Sequence, residues 1–141
     1  MQPSVSIIIP VYNDPSGLKE TLDCLVAQVF PKDQYEIIVV DNGSTDNTSE
    51  IGNKYADQFH DTIRFVLENK VQGSYAARNK GIEVSRGKLL ILLDANVTLG
   101  SDYIEKVNNR FRKSNVDYLG CNVKMRIKKS SISSRYNFIH G

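Results

Sequence analysis

The chain has 141 residues, of which 40% are hydrophobic and 24% are charged. This length suits a single domain, and the hydrophobic fraction excludes a disordered chain. No apolar run reaches the roughly 18 residues of a membrane-spanning helix. The apolar run near the N-terminus has no positive charge before it, so we predict no secretory signal. Cys24 and Cys121 both lie in apolar patterns, which predicts buried thiols in a reducing compartment rather than a disulfide or a metal site.

The net charge of +2 conceals an asymmetry along the chain. Residues 1–105 carry 15 acidic and 9 basic residues, whereas residues 106–141 carry 9 basic residues and one acid, Asp117. A basic end attracts phosphate groups, whether on a nucleotide, a lipid surface or nucleic acid. A solvated tail is the alternative interpretation of the same charges.

Four short apolar runs, rich in β-branched residues, predict strands of a largely buried sheet. They cover residues 5–11, 36–41, 62–67 and 88–94. We expect the first strand to stop at Pro10, because proline lacks the N–H that a strand ladder needs. A fifth strand or strand pair is predicted over residues 116–127.

Segments with helical spacing of apolar residues lie between these strands. Pro15 suits the first turn of the first helix. Asp46 or Ser44 is expected to cap the second helix and Ser101 the fourth, and Gly87 is expected to close the third. The apolar positions that define the spacing are Leu18, Leu22, Leu25, Val26 and Val29, then Ile51, Tyr55 and Phe59, then Ile104, Val107 and Phe111.

The strands and helices alternate, which predicts an α/β fold with an open, mostly parallel, twisted sheet and helices on both faces. Ligands of such sheets bind beyond the carboxyl ends of the strands. Three predicted strands lead there into polar residues, at 10–13, 41–44 and 94–96. The sequence therefore predicts a binding site on this rim.

The glycine patterns narrow the choice of ligand and cofactor. Residues 10–17 lack the Gly-x-Gly-x-x-Gly run of dinucleotide-binding folds, and the chain has no Walker loop. Phosphates are then not cradled by glycine-rich backbone, so a divalent metal held by carboxylate or amide oxygens is the expected means of neutralising them.

Four segments of the sequence, in their order and spacing, resemble the N-terminal, nucleotide-binding part of the family-2 glycosyltransferases. The resemblance covers about residues 4–124 and implies the Rossmann-like GT-A fold. The segments that carry it are Ser4–Asn13, Ile38–Asp46, Ala76–Gly81 and Leu92–Asn96.

The resemblance implies roles for individual residues of the nucleotide site. Pro10 and Tyr12 correspond to the segment that lies against the base of the sugar nucleotide. Asp41 corresponds to the aspartate that hydrogen-bonds the base, and Arg78 to a residue that lines the nucleotide pocket. An aromatic face such as that of Tyr12 can stack on a base.

Asp94 and Asn96 correspond to the family's Asp-x-Asp element, which positions the ribose and a metal-bound diphosphate. Their hard oxygens suit Mg²⁺ or Mn²⁺. The family more often has an aspartate where this chain has Asn96. An amide oxygen brings no charge, so we expect a lower metal affinity here.

The implied activity is transfer of a sugar from a nucleotide-diphosphate donor, UDP-linked by expectation, to an acceptor hydroxyl with inversion. In such a displacement a base deprotonates the acceptor, and we assign no residue of this chain to that role. Residues 1–124 are expected to be the donor-binding half of a truncated domain. Residues 125–141 are expected to be a basic tail leading to an acceptor-binding half that this chain lacks.

The expected partners are a nucleotide-sugar donor and a saccharide or lipid-linked acceptor, with no nucleic acid. We expect a cytoplasmic location, with peripheral membrane contact and self-association through exposed sheet edge as open alternatives. A non-catalytic nucleotide-binding or interaction module is the alternative function, with Asn96 marking lost metal chemistry. A nucleotidyltransferase is disfavoured, because residues 10–17 lack the glycine- and arginine-rich loop of that class.

Overall fold

Four parallel strands form the sheet of the computed structural model, which describes residues 2–113. They are β1 (Val5–Val11), β2 (Tyr35–Asp41), β3 (Ile63–Leu67) and β4 (Leu89–Leu92), in the order β3-β2-β1-β4. The predicted parallel α/β sheet is confirmed. The strand predicted at 116–127, the boundary at residue 124 and Cys121 lie outside the described residues.

Four helices connect and cover the strands. They are α1 (Pro15–Val26), α2 (Thr48–Gln58), α3 (Ser74–Val84) and α4 (Tyr103–Lys113), and a short 3-10 turn occupies Lys32–Gln34. Within residues 2–113, none of these helices is long and apolar enough to cross a membrane.

The helices divide between the two faces of the sheet according to strand alternation. Ile7, Ile9, Ile37 and Val39 point to one face and pack with apolar residues of α1, α2 and α4. Ile8, Ile38 and Val40 point to the other face and pack against Ala77 of α3. Gly81 lets α3 lie close to the sheet, because a Cβ there would be 2.4 Å from Cγ2 of Ile8.

The prediction that β1 stops at Pro10 is wrong on one side of the strand and right on the other. On the β2 side, Pro10 pairs with Val40 and the strand runs on to Val11. On the β4 side, pairing ends at Ile8 opposite Leu92, with one further bond of 3.0 Å from the Leu93 N–H to the Ile8 carbonyl. Even-numbered residues of β1 direct their backbone groups toward β4, so the missing N–H of Pro10 interrupts that ladder alone.

Neither of the two predicted N-caps holds in the structure. Asn47, not Asp46 or Ser44, is the N-cap of α2, and its side chain makes no capping hydrogen bond. The Asp46 carboxylate, one residue earlier, accepts the N–H of Thr48 at 2.9 Å. Ser101 does not cap α4, which begins at Tyr103. The N–H of Ile104 instead donates to the side-chain oxygen of Gln28 at 3.0 Å.

Gly87 is not the C-cap of α3, since that helix ends at Val84 and Ser85 follows it. The glycine is required for a different reason. A Cβ at residue 87 would lie 2.7 Å from the backbone nitrogen of Ser6, so no larger residue fits beside β1 there. Glycine is therefore needed at position 87, but because of a contact with β1 and not because a helix ends there.

Strand β4 is shorter and less covered than its composition predicts. Leu90 and Leu92 are 37% and 50% exposed on the α3 face, although Ile91 is buried on the other. Helix α3 packs over β1 and β2, so it leaves β4 open. Among residues 2–113, no strand pairs with the outer edge of β4.

A buried carboxylate organises the amino end of the sheet, opposite the rim where ligands are expected. Glu36 is 1% exposed and accepts hydrogen bonds from the Ser6 hydroxyl and the Arg86 N–H, both at 2.7 Å. Arg64 and Arg86 pair with its second oxygen at 2.9 and 3.0 Å. Burial raises the pKa of the Glu36 carboxyl, but these hydrogen bonds and the charge of Arg64 outweigh burial and hold that pKa below its ordinary value.

Replacing Glu36 by glutamine is expected to lower the free energy of unfolding at pH 7 by about 3 kcal/mol, because two arginines lose a buried partner. Since the folded pKa is lowered, this contribution is complete above the ordinary value of 4.5 and is lost as the pH falls through the folded pKa. Urea denaturation should therefore show a difference in the free energy of unfolding between wild type and Glu36→Gln, and this difference should become smaller at acidic pH. Glu83→Gln, on the exposed surface of α3, is the control. A difference that persists undiminished at pH 3 would contradict this account.

Candidate functional site

A cleft of about 230 Å³ opens at the carboxyl end of the sheet. It lies where β1 and β4 separate beyond Ile8 and Leu92, the topological switch point of this strand order. The N-terminal end of α3 forms another wall. The lining residues are Pro10, Val11, Tyr12, Asn42, Gln72, Gly73, Ser74, Ala77, Arg78 and Asp94.

Four of the five residues predicted for nucleotide binding line this cleft, namely Pro10, Tyr12, Arg78 and Asp94. They come from three segments that are distant in the chain. Tyr12 is 51% exposed. The guanidinium of Arg78 pairs with a carboxylate oxygen of Asp94 at 3.3 Å. The nucleotide-binding roles of these residues remain predictions, but their convergence is observed.

Asp41, the fifth predicted residue, does not line the cleft and is 0% exposed. One carboxylate oxygen accepts the N–H and hydroxyl of Ser44, at 3.0 and 2.5 Å. The other accepts the hydroxyl of Ser49 in the first turn of α2. Strand alternation explains this placement, since Asp41 follows Ile37 and Val39 toward the α2 side. Here Asp41 holds the loop between β2 and α2.

Asn42, the next residue, lines the cleft. Both N–H groups and the oxygen of its side-chain amide make hydrogen bonds. Its nitrogen donates to the carbonyls of Glu68 and Val71, at 2.8 and 2.9 Å. Its oxygen accepts the side chain of Gln72 at 3.1 Å and the N–H of Gly73 at 2.7 Å. Asn42 thereby fastens the loop between β3 and α3 and sets where α3 begins. In the sequence, Asn42 is one of the polar residues at 41–44 that follow a predicted strand, and nothing local indicated this role.

The loop after β4 presents Asp94 and Asn96 outward. Ala95, between them, is buried at 7% exposure and packs in the larger core, whereas both polar neighbours are exposed. The side chains of Asp94 and Asn96 are therefore both accessible, with a buried residue between them. Asp94 lines the cleft, and Asn96 is not among its lining residues.

The donor set of this loop suits a hard cation whose remaining ligands come from elsewhere. Within the described chain, no group of three or more His, Cys, Asp or Glu side chains could hold a metal by itself. Mg²⁺ sites commonly use one or two protein oxygens together with substrate phosphates and water. Asp94 and Asn96 fit that pattern.

Comparison with known proteins adds a family to this geometry. The family model "Glycosyl transferase family 2" matches residues 6–139. "Glycosyltransferase AglE" of Haloferax volcanii is 40% identical over 121 residues, which cover 86% of this chain and 40% of that relative. "Poly(ribitol-phosphate) beta-glucosyltransferase" of Bacillus spizizenii is 38% identical over 79% of this chain and 17% of its own length.

Among solved structures, the mannosyltransferase PcManGT of Pyrobaculum calidifontis, in complex with GDP-Man and Mn²⁺, superposes with a TM-score of 0.68. It is 29% identical and is matched over 74% of this chain and 31% of its own. The chain therefore belongs to glycosyltransferase family 2, and its sheet is the corresponding part of the GT-A fold. It spans well under half the length of these relatives.

Replacing Asn42 by aspartate is expected to loosen residues 68–73, because a carboxylate cannot donate to the carbonyls of Glu68 and Val71. The cost should be about 1–3 kcal/mol, because residue 42 is 3% exposed and its carboxylate would face two carbonyl oxygens with no donor between them. Hydrogen exchange should accelerate at the amides of Val71 and Ala76, which lie in the loop and at the start of α3, with β1 and β2 unaffected. The Gly73 amide should change less, because a carboxylate still accepts its N–H. Asn53→Asp on the exposed face of α2 is the matched control. Unchanged exchange at Val71 and Ala76 would contradict the role of Asn42.

Proposed function

We propose that the cleft binds the nucleotide diphosphate of a sugar nucleotide and that the whole protein transfers its sugar to an acceptor hydroxyl. The observation that carries this proposal is the convergence of Tyr12, Arg78 and Asp94 at the switch point of the sheet. These side chains offer an aromatic face, a cation and a carboxylate. They are the three kinds of group that a base, a phosphate and a metal-bound phosphate require.

The base would lie against Tyr12 and Pro10. Base stacking on an aromatic ring contributes about 1–3 kcal/mol and tolerates different bases. The amide of Gln72 also lines the cleft and is held by Asn42, so it can contribute a hydrogen bond to a base edge. The uridine expected from the sequence and the guanosine bound by PcManGT are therefore both candidates.

The diphosphate would lie against Arg78 and Asp94. The guanidinium attracts phosphate oxygens directly, and the carboxylate of Asp94 would hold a divalent cation beside them. Such an ion, when bound, stabilises negative charge on the leaving diphosphate. Mn²⁺ in PcManGT supports this assignment. Arg78 and Asp94 are paired 3.3 Å apart, so both groups are already at the same point of the cleft.

A second candidate is metal-independent nucleotide binding without sugar transfer. The observation that favours it is the donor set itself, since Asn96 adds no charge and Asp94 already has a cationic partner in Arg78. In this case Arg78 alone would neutralise the phosphates.

The acceptor, the inverting stereochemistry and the general base belong to the whole protein. A saccharide or lipid-linked acceptor, a cytoplasmic location and peripheral membrane contact are consistent with the family and with the basic residues after position 105. We infer these features from the sequence, and titration with anionic vesicles at low salt would test the membrane contact.

Calorimetry of the 141-residue chain with UDP and with GDP, each with and without Mn²⁺, tests the proposal. We expect binding that Mn²⁺ strengthens, and we expect Asp94→Asn to reduce the Mn²⁺-dependent affinity about 10-fold or more. Asp57→Asn, exposed on α2, is the control for loss of one carboxylate. A nucleotide affinity that changes neither with Mn²⁺ nor with Asp94→Asn would favour the second candidate. No binding of either nucleotide would exclude both.

Tyr12→Ala is expected to weaken binding of the preferred nucleotide about 10-fold, through loss of the stacking surface. Tyr12→Phe keeps the ring and should bind as wild type does. The same titrations measure both variants. Equal affinity for the alanine and phenylalanine variants would show that the base does not stack on this ring.

A further inference from the structure

The loop that carries Asp94 and Asn96 has no regular secondary structure of its own. It runs from Leu93 to the start of α4 at Tyr103. Backbone N–H and C=O groups in such a segment still need partners where they are buried. Near Asp94 these partners come from a side chain of another element.

That side chain is Thr21, in the middle of α1 and 0% exposed. Its hydroxyl oxygen lies 2.8 Å from the carbonyl oxygen of Ala95 and 2.7 Å from that of Val97. It also accepts the N–H of Val97 at 2.9 Å. One buried hydroxyl therefore contacts three backbone groups, on both sides of Asn96 and directly after Asp94.

We propose that Thr21 is a positioning residue for the diphosphate end of the site, holding the backbone of residues 95–97 so that Asp94 and Asn96 face the bound phosphates together. This inference rests on the proposed function, because it assigns to Thr21 a role in that same site. Thr21 does not line the cleft. Its effect passes through the loop backbone.

The arrangement makes the hydroxyl difficult to replace. Thr21 is fully buried, so removing its oxygen leaves the carbonyls of Ala95 and Val97 and the Val97 N–H without this partner in an apolar surrounding. The loop must then rotate to regain partners. Rotation of one peptide unit changes which way Asp94 or Asn96 points, and a cation held by only two protein oxygens depends on both.

Gln28, just beyond the end of α1, makes a second and separate connection to this loop. Its nitrogen donates to the Gly100 carbonyl at 2.7 Å and its oxygen accepts the Ile104 N–H. These contacts fix the start of α4. They lie at least four residues from Asn96, whereas the contacts of Thr21 are with residues 95 and 97 themselves.

The test compares three variants of the 141-residue chain. Thr21→Val keeps the shape and removes the hydroxyl, Thr21→Ser keeps the hydroxyl, and Ser6→Ala is the matched control. Ser6 is also fully buried, and its hydroxyl also donates and accepts, to Glu36 and from Gly87, but at the far end of the sheet. The ligands are UDP with Mn²⁺, and uridine, which has no phosphate.

We expect Thr21→Val to bind UDP with Mn²⁺ about 10- to 100-fold more weakly, the range seen when a residue that orients a metal ligand is lost. Its affinity for uridine should be that of wild type, because Tyr12 and Pro10 do not depend on the loop. Thr21→Ser should restore the UDP affinity. A variant that is only less stable would lose apparent affinity for UDP and for uridine by the same factor. Ser6→Ala, compared at the same folded fraction as Thr21→Val, should show that equal loss.

Hydrogen exchange in wild type provides a readout that no unfolded variant can obscure. The Val97 amide should exchange slowly, in the same class as the Leu93 amide that bonds to Ile8. Exchange of Val97 at the rate of an exposed amide would overturn the inference, and so would equal UDP affinities of Thr21→Val and Ser6→Ala.

If wild type binds neither UDP nor uridine, the proposed function fails and this inference fails with it. If wild type binds UDP and Thr21→Val binds it equally well, only the role of Thr21 fails.

Discussion

The whole site depends on one missing hydrogen bond between β1 and β4. Pro10 has no N–H to offer on the side of β1 that faces β4, so the two strands cannot stay paired beyond Ile8 and Leu92. The same residue leaves the pairing with β2 intact through Val11. The sheet therefore opens on one side of its central strand while remaining continuous on the other. A cleft at that point, with rigid strands beneath it, is what a ligand site of a parallel sheet requires.

Each side of the cleft is held by a buried polar side chain rather than by regular secondary structure. Asn42 uses all of its amide to hold residues 68–73 and the start of α3, which carries Arg78. Thr21 belongs to α1, on the face of the sheet opposite to α3, and it holds the loop that carries Asp94. Loops at functional sites need such supports, since their own backbone groups have few partners. In this protein, the residues expected to touch the nucleotide are kept in place by the buried side chains of other elements.

Strand and helix patterns were predicted well where the physical cause is local. Apolar β-branched runs and the proline at the start of α1 act within a few residues. Predictions were wrong where a distant partner decided the outcome. Gly87 is needed by β1 and not by α3. Gln28 rather than Ser101 accepts the Ile104 N–H in the first turn of α4. Leu90 and Leu92 of β4 are exposed because α3 covers β1 and β2.

For this protein, the order of strands and helices, the rim on which the site lies and the membership of glycosyltransferase family 2 could be determined from the sequence alone. Periodicity and short motifs encode them, and these need no knowledge of distant contacts. The tertiary structure alone decided that Asn42 faces the cleft while Asp41 is turned toward α2, and that Thr21 supports the loop of Asp94. The reason is that a side chain's face and partners depend on which elements pack beside it, and residues 21 and 95 become neighbours only when α1 lies on the sheet.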